Sequence, residues 1–361
     1  MRTLSLRTLP ALASALGLCL TTGVAHAQLY SPAKVTTGNN YQSYYAQTPT
    51  ESNYLTGEED VAKTPAPPTT GSCDTCVWDD CCNDFGTWRD NTVLLIGGEA
   101  FKSLGDTAPP GTLDDGWMNS AGFVGGFNTG FQLIPDSPIR GQIGASYGVY
   151  DLKGRDSAAF SSAEQQTFLT MGVSKRSDVL HGDQLSWGLV YDQLWDHQYG
   201  LFAGELYVGQ VRGLIGWAID DFNELGVWGA FRTTGDNSVA GITPPPARAL
   251  NQYNVFWRHN YNFGGQTMLW VGGNDPADIG SWLLGTYGQA PLNDYLSLYG
   301  NFTFSFPGSA TGVVGSNEEL WAFGAGLVYS LGGKSFRPSV SGPQGLPLIP
   351  VANNGTFLIT N

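Results

Sequence analysis

The sequence predicts a closed, antiparallel, up-and-down transmembrane β-barrel of about twelve strands, with a disordered N-terminal leader and C-terminal tail. Three observations carry this. The first is a period of two. From Leu296, alternate positions read Leu296, Leu298, Gly300, Phe302, Phe304 and Phe306 against Tyr295, Ser297, Tyr299, Asn301, Thr303 and Ser305. The pattern returns as Trp321, Phe323, Ala325, Leu327, Tyr329 and Leu331 against Ala322, Gly324, Gly326, Val328 and Ser330. Such strands have faces in different surroundings. A soluble sandwich would put many Lys and Glu on the polar face. Ser, Thr, Asn, Tyr and Gly there suit a confined lumen, with hydrocarbon outside.

The second observation is composition. Charged residues make up 13% of the 361, near half the ~25% of soluble domains, and the 49 glycines are about twice the ~7% norm. No run beyond the N-terminus reaches the ~18 apolar residues of a membrane helix. The third is loop length. Connections after the second, sixth, eighth and tenth stretches are tight: 134–138, 220–223, 264–265 and 290–294. Those after the first, third, seventh and eleventh are long: 105–116, 153–163, 235–250 and 307–317. Short turns on one side and long loops on the other is the outer-membrane arrangement, with the short side periplasmic.

In chain order, Arg2 and Arg7 precede the apolar run Leu9–Leu20 and then Ala25-His26-Ala27, a secretory signal over residues 1–27. Leu18 is too large for a lipobox around Cys19. Residues 28–88 show no sustained period, hold a Pro-rich segment at 64–70, and read as a periplasmic tether. Within it lie Cys73, Cys76, Cys81 and Cys82. In an oxidising compartment four cysteines read as two disulfides with three connectivities open. The vicinal pair departs from zinc-ribbon spacing, and a CxxC redox centre lacks its βαβ context.

Residues 89–332 form the barrel, with strand-like stretches near 92–104, 117–133, 138–152, 164–176, 184–196, 203–219, 224–234, 251–263, 266–273, 280–289, 293–306 and 318–331. The stretch 266–273 is ambiguous, and 203–219 divides readily in two. The tail, 333–361, is rich in Gly and Pro; it either trails in the periplasm or folds back as a plug.

Strand phase sends Glu99, Arg140, Arg176, Asp192, Gln210, Arg212, Glu224, Arg232, Asn254, Arg258, Asn260, Tyr299 and Asn301 into the lumen. One reading pairs the arginines with Glu99, Asp192 and Glu224. The other is a constriction favouring anions or sugar hydroxyls, which guanidinium forks bind. Outward Trp117, Trp187, Trp195, Trp217, Trp257, Trp282 and Trp321 read as interface girdles. A net charge of −14 argues against nucleic acid as a partner. Acidic loop residues (Asp106, Asp114, Asp115, Asp236, Asp275, Asp278, Glu318, Glu319) read as a solvated rim, or as a site for cations bridging to surface glycans.

The leader CDTCVWDDCC (73–82) followed by NTVLLIGGEAFKSL (91–104) resembles an uncharacterised barrel family of planctomycete bacteria, over roughly residues 73–331. The resemblance implies an outer-membrane location and a barrel fold, and nothing about substrate. The wider outer-membrane class includes twelve-stranded lipases using Ser, His and Asn at the lipid face. Here His181, His197 and His259 are the mature chain's histidines, and His259 has no serine in a matching position. No HExxH, P-loop or GxSxG lies in the right context.

The expectation is a narrow passive pore or structural envelope protein, not an enzyme, with no cofactor or metal. Its partners are outer-membrane lipid and small polar solutes or ions. The alternatives are a soluble exported sandwich or propeller that binds glycans, and a barrel-borne lipid hydrolase.

Overall fold

The structure is a computed structural model that describes residues 88–102, 120–134, 137–152, 163–199, 204–233, 248–275, 282–306, 319–343 and 345–360. The expected signal, nearly all of the expected leader and all four of its cysteines lie outside the described residues.

Twelve strands close a barrel: β1 (Thr92–Lys102), β2 (Ser120–Gln132), β3 (Arg140–Tyr150), β4 (Glu164–Lys175), β5 (Leu185–Tyr199), β6 (Gly204–Ala218), β7 (Asn223–Arg232), β9 (Asn251–Asn260), β10 (Gln266–Asp275), β11 (Leu283–Pro291), β12 (Leu296–Ser305) and β13 (Leu320–Ser330). Two-residue strands β8 (Arg248–Ala249) and β14 (Ile359–Thr360) pair separately. Each barrel strand runs antiparallel to its neighbours, and β1 closes on β13 from Val93↔Ser330 to Lys102↔Trp321. The expected stretches match these strands to within a few residues; 203–219 is one continuous strand and 266–273 belongs to β10.

The alternation has the expected sense. Phe123, Ile143, Leu189, Ile215, Leu298 and Phe323 point outward and are exposed, while their strand neighbours turn inward. Mid-height, Val227, Val255 and Val271 lie side by side on β7, β9 and β10, each over half exposed. Trp217, Trp257, Tyr295 and Tyr329 flank this band at the short-turn end and Trp282 and Phe306 at the other. Trp187, Trp195 and Trp321 are partly covered, and Trp117 lies outside the described residues.

Side chains fix the tight turns. Between β6 and β7 the Asp220 carboxylate accepts from the Phe222 and Asn223 backbone N–H groups and the Asn223 amide. The Asn223 amide first, then the backbone donors, hold that carboxyl below its ordinary range. Between β9 and β10, Gly264 sits at φ +83°, where an added Cβ would also strike the Phe336 ring.

The tail has almost no regular structure, yet it is not loose: it takes the fold-back course. Leaving β13, it follows the short-turn rim. The Ser335 N–H donates to the Asp294 carbonyl, Arg337 N–H to Gly264, and Val340 N–H to Asp221, while Ser341 Oγ accepts from the Val179 N–H. At Gly345 it passes so close to β2 that a Cβ on Gly130 would run into the Gly345 carbonyl oxygen. From Leu346 it threads the lumen to the opposite end, where β14 pairs with β8 and the Leu250 N–H donates to the Leu358 carbonyl.

Candidate functional site

The lumen is the candidate site, and the tail fills much of it. An irregular backbone inside a barrel needs partners for its N–H and C=O groups, and inward polar side chains supply them. Asn128 and Gln142 both donate to the Ile349 carbonyl, at 3.0 and 2.9 Å, and Gln142 Oε1 accepts from the Ile349 N–H. Gln210 and Gln252 converge on the Thr356 carbonyl at 3.1 and 3.0 Å. Thr170 Oγ1 accepts from the Ala352 N–H at 3.0 Å. The Asn354 amide donates to Glu99 and to Gln166.

Around these bonds lie two apolar clusters. Toward the long-loop end, Phe357, Ile359, Val351 and Ala352 pack on Phe168, Leu194, Leu206 and Val208. The other joins Leu348, Ile349 and Leu358 to Val190, Leu214, Trp228, Phe256 and Trp270. Trp228 and Trp270 meet edge to face, 5.7 Å apart.

The expected lumen residues divide by role. Arg212 grips Asp192 with Nε (2.5 Å) and an η nitrogen (3.0 Å), and donates to the Pro350 carbonyl at 2.8 Å. Asp192 also accepts from Thr170 and Gln210. Arg258 pairs with Glu224 at 2.7 Å, and Ser186 donates to the same carboxylate. Arg176 makes no ion pair among the described residues; it donates to the Leu346 and Pro347 carbonyls. Glu99 binds Tyr150 and Asn354 instead of an arginine. Asn260 donates to the Arg337 and Ser339 carbonyls, holding the tail at the rim.

Asn254 is buried with no bonded partner for its amide among the described residues, and Tyr299 and Asn301 line the space beside the tail. Arg140 is half-buried at the short-turn end of β3, and Arg232 is exposed at the far end of β7. These two keep the inward phase but stand at the rims, so no ring of five arginines forms. Among the acidic loop residues, Asp275 and Glu319 are described, and Glu319 pairs with Lys102 at 3.4 Å.

The functional residues missed by sequence reasoning are the tail's own and their glutamine and threonine sockets: Gln142, Gln166, Thr170 and Gln252. Strand phase identifies all four as inward; nothing in one sequence says that they serve a segment 104 to 207 residues away.

None of the three histidines bonds a serine hydroxyl among the described residues. His259 Nδ1 meets Asn223 Oδ1 at 2.9 Å and its ring touches those of Trp257 and Tyr261; His181 meets Asp178 in a turn, and His197 meets Glu205.

Fold and site together define a twelve-stranded β-barrel plugged by its own C-terminal segment. The chain belongs to a family of unknown function, DUF6666, whose model matches residues 91–359. No curated protein matches it. Similar solved structures are outer-membrane barrels. Outer membrane phospholipase A from Escherichia coli is 9% identical, with 66% of this chain and 92% of that one covered and a TM-score of 0.38. The NanC porin is 7% identical, with 66% and 98% covered and a TM-score of 0.38. The TodX monoaromatic hydrocarbon channel is 11% identical, with 66% and 88% covered and a TM-score of 0.37. At this degree of likeness no activity passes from them to this chain.

Proposed function

We propose that this protein spans the bacterial outer membrane and serves there as a pore closed at rest by its own tail, passing small polar solutes with anions preferred. We propose too that its family is the planctomycete barrel family that the leader and first strand resemble. The observation that carries the pore reading is the tail's mode of attachment. It is held across the lumen by side-chain hydrogen bonds, each worth about 0.5–1.5 kcal/mol net, and by apolar side chains packed on the inner wall. Its strand pairing among the described residues is confined to β14 with β8, so its release leaves the wall's backbone ladders whole. A purely structural barrel has no need of a separable filling.

Membrane insertion is supported by the continuous apolar outer face, far more exposed hydrophobic surface than a soluble monomer carries. Val255→Arg, at mid-height on that face, is expected to cost about 2–4 kcal/mol against lipid. Urea unfolding from vesicles reads this out. A barrel whose outer face met water would bear the substitution with no loss and would need no detergent after lysis.

Planar-bilayer recording tests the pore. The full chain is expected to be silent with rare openings, and a chain ending at Leu331 to give discrete anion-preferring steps. To guard against misfolding of the shortened chain, Thr170 and Ala352 are also replaced together by Cys in the full chain, which is expected to abolish the rare openings on oxidation. Equal conductance from full and shortened chains, with no effect of the cross-link, would leave the structural-envelope reading.

A further inference from the structure

Beside the tail, between Leu346–Asn353 and the wall, lies a cavity of about 190 Å³. Its body is apolar, lined by Val93, Leu95, Leu214, Met268, Val328 and Leu348. An apolar cavity near 150 Å³ accommodates benzene, so this volume suits one ring with a small substituent. Trp228 and Trp270, each more than nine-tenths buried, also line it, and the indole Nε1 of each has no hydrogen-bond partner among the described residues. Aromatic guests pack well on the edges and faces of such a pair.

Charge selects the substituent. Arg337 lines the same cavity; it donates to Gln266 at 3.3 Å, and its Nε has no partner among the described residues. Neither Arg337 nor Arg176 forms an ion pair among the described residues, while the neighbouring Arg258 is matched by Glu224. That end therefore holds three guanidinium groups against one carboxylate. Glu99, also on the cavity, accepts only from the neutral Tyr150 and Asn354, and counting its charge still leaves three guanidinium groups against two carboxylates.

We infer that this cavity binds a small aromatic carboxylate, its ring among Trp228, Trp270, Met268 and Val328 and its carboxylate on Arg337. The inference rests on the lumen being the working site, but its test is equilibrium binding. A negative result here leaves the pore standing, and silent bilayers leave this site standing.

The test is fluorine NMR of 4-fluorobenzoate with the full chain in detergent micelles, with empty micelles as the blank. Saturable binding is expected, with 4-fluorobenzyl alcohol, the uncharged analogue, at least about tenfold weaker. Arg337→Gln is expected to weaken the carboxylate by at least about tenfold, since one partner of a buried charged contact is lost, and Arg337→Lys to restore part of it. Val328→Phe fills the space without touching charge, and it decides the matter should Arg337→Gln not fold. It is expected to abolish binding. No saturation beyond the micelle blank, equal affinity for acid and alcohol, or unchanged binding in Val328→Phe would each overturn the proposal.

Discussion

Replacing Asp192 with alanine is expected to cost about 3–5 kcal/mol of barrel stability, because it leaves the Arg212 guanidinium buried without its counter-charge. Asp192 is fully buried and receives four donated hydrogen bonds, two from Arg212 and one each from Thr170 and Gln210. Thr170, Gln210 and Arg212 each also hold the tail, at Ala352, Thr356 and Pro350. The damage therefore reaches the plug, and openings in the bilayer should become frequent. The double variant Asp192→Ala, Arg212→Met removes both charges and is expected to regain most of the loss in urea unfolding. A single-variant cost under about 1 kcal/mol would mean that the pair is open to water and contributes like a surface bridge.

Phe357→Ala is the second large effect, about 3–5 kcal/mol, the usual cost of emptying a buried phenylalanine site. The ring is 2% exposed and packs 6.1 Å from Phe168, within the cluster that anchors the far end of the tail. Its position separates two readouts. Unfolding of the wall, followed by far-ultraviolet circular dichroism, should shift less than proteolytic release of the tail, because the ladders from β1 to β13 do not pass through Phe357. A single transition in which wall and tail are lost together, at an unchanged midpoint, would refute a separately anchored plug.

The wall was legible because hydrocarbon and lumen impose opposite demands on successive residues; Ile143 and Gln142 could not exchange places. Where the demand weakens, so does the signal. The stretch that became β10 reads ambiguously because Met268 and Trp270, on its inward face, are large and apolar: they pack toward the tail's Leu348 cluster. The five arginines could be phased inward but not assigned, since phase gives a face and not a height. Arg212 and Arg258 meet carboxylates on neighbouring strands, Arg176 meets carbonyls of the tail, and Arg140 and Arg232 reach the rims. The tail itself left only composition to read. Its prolines at 338, 343, 347 and 350 rule out a ladder, and its partners are side chains scattered over β1 to β9, which no local pattern encodes.

The bond between Asn354 and Glu99 joins residues 255 apart in sequence, and the socket for Thr356 needs β6 and β9 already in place on either side of β7. Assembly is therefore ordered. The sockets that hold this segment exist only once strands far apart in sequence have come together, so its docking follows the gathering of the staves around it.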